Sequence, residues 1–60
     1  MTYTELKKEY VIETLGKGEK VVMCDFSTMR IMDCSDMTVN AILSFAEKSE
    51  TKFFKAVVNG

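Results

Sequence analysis

Two thiols, Cys24 and Cys34, are the most reactive side chains in this sixty-residue chain. A nucleophilic or redox-active cysteine needs its thiolate stabilised by a cation, a helix start or a metal. The pair does not have Cys-x-x-Cys spacing, and the chain contains no histidine. That absence removes the commonest general base, the commonest transition-metal ligand and the usual pH switch together. Both thiols therefore read as small buried hydrophobes. Cys34, at a strand end just before a helix cap, is expected to be the more exposed. Two cysteines without histidine also fall short of a four-ligand zinc site within one chain unless carboxylates or a second copy supply the rest.

The densest carboxylate cluster is Asp33-Cys34-Ser35-Asp36, with Asp25 nearby in sequence. Such oxygens suit Mg²⁺ or Ca²⁺, but the alternating ligands and distant Glu of a calcium loop are missing. A helix cap accounts for Ser35 and Asp36 without any ion. Gly16-Lys17-Gly18-Glu19-Lys20 lacks the Gly-x-x-x-x-Gly-Lys-Ser/Thr frame of a phosphate loop and reads as a helix stop. No nucleophile–base pair remains. The expectation is a protein that is not an enzyme, with no metal and no cofactor.

Eight Lys and Arg stand against nine Asp and Glu, for a formal charge of −1. The lysines at 7, 8, 17, 20, 48, 52 and 55 are interleaved with acids, so the basic footprint of a nucleic-acid binder is missing. A sheet carrying Phe53, Lys55 and tyrosine would suit a single strand by stacking, yet this net charge gives phosphates little attraction. Nucleic acid is therefore not the expected partner. If subunits enclosed a small anion such as a nucleotide, Lys17, Lys20, Arg30 and Lys52 would be its contacts.

The elements that position these residues follow from periodicity. Thr2-Tyr3-Thr4-Glu5 has capping-box spacing, and Leu6/Tyr10 and Val11/Leu15 are i,i+4 pairs, predicting a helix over roughly Thr4 to Leu15. Gly16 is placed to end it in the left-handed conformation. Val21 to Phe26 and Met29 to Cys34 form two apolar runs around Ser27-Thr28, predicting a β-hairpin in which Asp25 faces Arg30 and Cys24 faces Ile31. One face of that hairpin carries Val22, Cys24, Phe26, Met29 and Ile31. The other carries Val21, Met23, Met32 and Cys34. A second helix, roughly Met37 to Lys48, is capped by Ser35 or Asp36, and its wide apolar arc predicts cover on more than one side. Lys52 to Val58 closes the chain as a strand, with Phe54, Ala56 and Val58 on one face and Phe53, Lys55 and Val57 on the other.

The expected fold is a single α+β domain over residues 1–60, ordered α-β-β-α-β, with a three-stranded mixed sheet. Strand order 2-1-3 makes the richest strand, Val21 to Phe26, central. The helices either share one sheet face, leaving the other for a second copy, or take opposite faces with pairing through an edge strand.

Size sharpens this choice. A 6.8 kDa chain buries roughly 5,900 Å² on folding, which contributes on the order of 90 kcal/mol when about 60% is apolar. Ordering the residues costs about the same at roughly 1.5 kcal/mol each. Without metals or multiple disulfides, association is the remaining source of stability. A homo-oligomer, a dimer in the simplest case, is expected through Val21, Met23, Met29, Met32, Phe53 and Val57. Five methionines suit such an adaptable surface.

The longest apolar run, Val21-Val22-Met23-Cys24, is far short of the ~20 residues that span a bilayer. The first ten residues lack the apolar centre of a secretory signal, so a cytoplasmic protein without a membrane partner is expected. In size and texture the chain resembles the small accessory proteins that phages and mobile elements direct against host machinery. That resemblance rests on bulk properties and implies a non-catalytic module that inhibits a host protein by docking.

Overall fold

The computed structural model describes residues 2–57. Its elements run β1 (Thr2–Leu6), a 3₁₀ turn (Lys8–Tyr10), α1 (Val11–Gly16), β2 (Val21–Asp25), β3 (Arg30–Asp33), a second 3₁₀ turn (Cys34–Asp36), α2 (Val39–Ala46) and β4 (Thr51–Val57). The four strands form one sheet in the order β1-β4-β2-β3.

The largest departure from expectation lies at the N-terminus, where the segment predicted as helix begins as a strand. β4 is seven residues long and would present an unpaired edge beyond β2. Thr2, Tyr3 and Thr4 are good strand formers, and β1 covers that edge through five residue pairs, Thr2↔Val57 to Leu6↔Phe53. The capping box therefore goes unused, and helix survives only from Val11 to Gly16. Gly18, with φ of 81°, and not Gly16 takes the left-handed conformation that ends the helical segment.

The hairpin has the expected register, with Asp25 opposite Arg30 and Cys24 opposite Ile31. The closing strand lies beside the first hairpin strand, as in the preferred order. The sheet is nevertheless antiparallel at every pairing rather than mixed. β3 and β4 run in the same direction, but β2 lies between them, so no parallel pair forms.

The second helix is shorter than predicted and starts later. The Asp33 carboxylate accepts hydrogen bonds from the Ser35 amide (3.0 Å) and hydroxyl (2.9 Å), fixing a separate turn that sends Cys34 into the core. Thr38, not Ser35 or Asp36, caps α2 by accepting from the Ala41 amide at 3.1 Å. Cys34 is therefore buried, in keeping with its reading as a small hydrophobe, but the half-buried Cys24 and not Cys34 is the more exposed thiol.

Both helices lie on one side of the sheet. Val11 of α1 and Ile42 of α2 share a core with Val21, Met23, Phe53 and Cys34. Val39 and Leu43 of α2 remain 54% and 50% exposed, so the wide apolar arc is covered from the sheet side alone. Val58, expected to share the face of Phe54, lies outside the described residues.

Candidate functional site

The described helices pack against the Val21, Met23 and Phe53 side of the sheet, and alternation sends the intervening side chains to a second face over which no described helix lies. The register sets its side chains in rows. Tyr3 of β1 lies beside Ala56 of β4, whose amide donates to the Lys20 carbonyl at 3.0 Å. In the next row Glu5, Phe54, Val22 and Asp33 stand side by side across all four strands. Lys52, Cys24 and Ile31 form the third.

In each row the apolar pair moves one strand closer to β3: Tyr3 and Ala56, then Phe54 and Val22, then Cys24 and Ile31. The result is a diagonal apolar band across the sheet. Phe26 and Met29 of the hairpin loop extend it. Tyr3 and Phe26 are each 51% exposed, Ile31 73% and Met29 79%. Tyr3, Val22, Cys24, Ile31 and Phe54 line a shallow depression of about 340 Å³ in its middle.

Charges border the band on both sides. Glu5 and Lys52 stand on one flank, Lys20 and Asp33 on the other. The Lys20 charge helps to hold the Asp33 carboxyl below its ordinary value, after the larger effects of the Ser35 amide and hydroxyl. Among the described residues the ion pair is Lys55 with Glu19, at 2.8 Å on the helix-covered side.

The sequence-derived interface residues divide unevenly. Val21, Met23 and Phe53 are buried in the core of the single chain. Val57 and Met32 share their side of the sheet, and only Met29 lies at an end of the open face. Tyr3, Phe54 and Ala56 stand outside that set because the capping-box spacing points Tyr3 to a helix start and because the expected outward side of the closing strand, that of Phe53 and Val57, is the side that faces the core. The grouping of Val22, Cys24 and Ile31 on one hairpin face was the available signal.

The four cations considered for an anion do not converge within one chain. Lys20 and Lys52 lie on opposite flanks of the open face, Arg30 is on the helix side, and Lys17 is in the α1–β2 turn. Arg30 and Lys48 do line a cleft of about 360 Å³ between the hairpin and α2, but Asp25 lines it too. That carboxylate, held below its ordinary value mainly by the Ser27 hydroxyl, keeps a negative charge where an anion would sit. Phe53 and Lys55, considered for base stacking, are respectively buried and paired with Glu19.

Among the described residues no group of three or more His, Cys, Asp or Glu side chains is placed to hold a metal ion. No described helix is long and apolar enough to cross a membrane. No protein-family model, curated protein or solved structure matches the chain.

Proposed function

We propose that the chain is a non-catalytic protein-binding module and that its binding surface is the open face of the sheet. The observation that carries this reading is the diagonal apolar band from Tyr3 to Met29, exposed and bordered by charges. An apolar strip with a polar rim is the common anatomy of a protein interface. Such a surface acts by occupancy, which suits a docking inhibitor as well as a self-associating subunit. The dispersed cations give less support to an anion-sequestering or nucleic-acid-binding role.

Photo-crosslinking in cells tests the reading. A photoreactive residue replacing Ile31 is expected to give covalent protein adducts, to a second copy or to another protein. The same residue replacing Glu13, exposed on α1, is expected to give none. Equal yields at both positions, or none at either, would overturn the assignment of the face.

A further inference from the structure

We infer that the occupant of the open face is a second copy of this chain, related to the first by a two-fold axis in the plane of contact. The inference rests on the assignment of that face as the binding surface and adds the identity of the partner. The four bordering charges carry it. Glu5 and Asp33 stand at the two ends of one row, Lys52 lies in the row beyond and Lys20 in the row before. They mark the corners of a rough rectangle around the apolar band, with like signs on its diagonals.

A face of this kind complements itself. Rotation about an axis along the band sets Glu5 over the partner's Lys20 and Lys52 over the partner's Asp33. Rotation about an axis across the band sets Glu5 over the partner's Lys52 and Lys20 over the partner's Asp33. Either operation brings opposite charges together at all four corners and apolar band onto apolar band, the isologous arrangement of most dimers.

Strand geometry fits the same partner. With each row the apolar pair shifts one strand spacing of about 4.8 Å and climbs one side-chain repeat of about 6.8 Å, so the band lies about 35° from the strands. Either two-fold then crosses the strands of the two sheets at about 70°, nearer the orthogonal than the aligned class of sheet-on-sheet packing. The footprint is on the order of a few hundred Å² per copy, at the low end for specific interfaces, so association is expected at micromolar rather than nanomolar concentration.

Charge reversal read by sedimentation equilibrium at low salt tests the inference. The native chain is expected to dimerise, and Glu5→Lys or Lys20→Glu to weaken dimerisation about tenfold. The double variant E5K/K20E restores it if the axis runs along the band, and E5K/K52E restores it if the axis runs across. These positions are exposed, and circular dichroism confirms that each variant is folded. Failure of both double variants to restore association, or a native chain that stays monomeric to about 1 mM, would overturn the second copy. A monomeric chain that still crosslinks another protein through position 31 would overturn the self-pairing alone. A monomer without adducts would remove the assignment of the face as well.

Discussion

Asp25 and Arg30 stand directly opposite each other across the β2–β3 hairpin, yet the Asp25 carboxylate is engaged by the loop. It accepts from the Ser27 amide at 3.1 Å, the Ser27 hydroxyl at 2.8 Å and the Thr28 hydroxyl at 3.0 Å. The turn carries no glycine, and Met29 has a φ of 57°, a conformation that side chains other than Gly, Asn or Asp rarely adopt. The carboxylate thus stands in for the Asn-Gly pair that hairpin turns often use.

Acid should therefore loosen the hairpin. Hydrogen bonds from Ser27 and Thr28 lower the Asp25 carboxyl relative to its ordinary value despite its burial. A folded-state value below the unfolded one gives stability that is present above about pH 4 and lost as pH falls through the folded value. Asp25→Ala is expected to lower the urea midpoint near neutrality and to flatten the acid limb. Urea melts from about pH 2 to 7 check both effects.

Base should weaken the fold through a different group. Burial, with a smaller effect from the Asp33 charge, pushes the Cys34 thiol up to about 11. An unfolded thiol ionises near about 8.5, so stability present below that pH declines as pH rises towards the folded value. The difference between native and Cys34→Ala melts over that range isolates the effect. In the folded protein at neutral pH, iodoacetamide is expected to reach the half-buried Cys24 and spare Cys34, and peptide mass mapping reads the result.

The core and the open face should respond very unequally to truncation. Phe53 is wholly buried opposite Met23, and Phe53→Ala should cost about 3–5 kcal/mol, comparable to the whole stability of so small a domain. Ile31→Ala should change the stability of the dilute monomer by less than about 0.5 kcal/mol. Urea unfolding of both variants checks the contrast.

Helix capping gives a local test of where α2 begins. Thr38→Ala should cost about 1 kcal/mol by removing the acceptor for the Ala41 amide. Asp36→Ala should cost less, because Asp36 closes the preceding turn and does not cap the helix. Denaturant midpoints of the two variants rank the caps.

The hairpin was legible because its signals are local: two apolar runs, a short polar link and period-two alternation. β1 was not. Its competing helix signals lie within a few residues of one another, whereas its partner β4 lies about fifty residues away, and pairing at that distance leaves no local mark. Surplus apolar area was equally visible, but the side that the helices cover was not. Val21 and Met23 alternate with Val22 and Cys24, and Phe53 adjoins Phe54, so hydrophobicity ranks neither face. Polarity does not rank the faces either, since Asp25 lies on the core side, where it is buried and held by loop hydrogen bonds.

The pairing of Thr2 with Val57 brings the first and last described residues together at one corner of the sheet. A short peptide joining them there would close the backbone into a ring without crossing either broad surface. New termini opened in the solvent-facing tip between Phe26 and Met29 would then yield a circular permutant with its strand order intact.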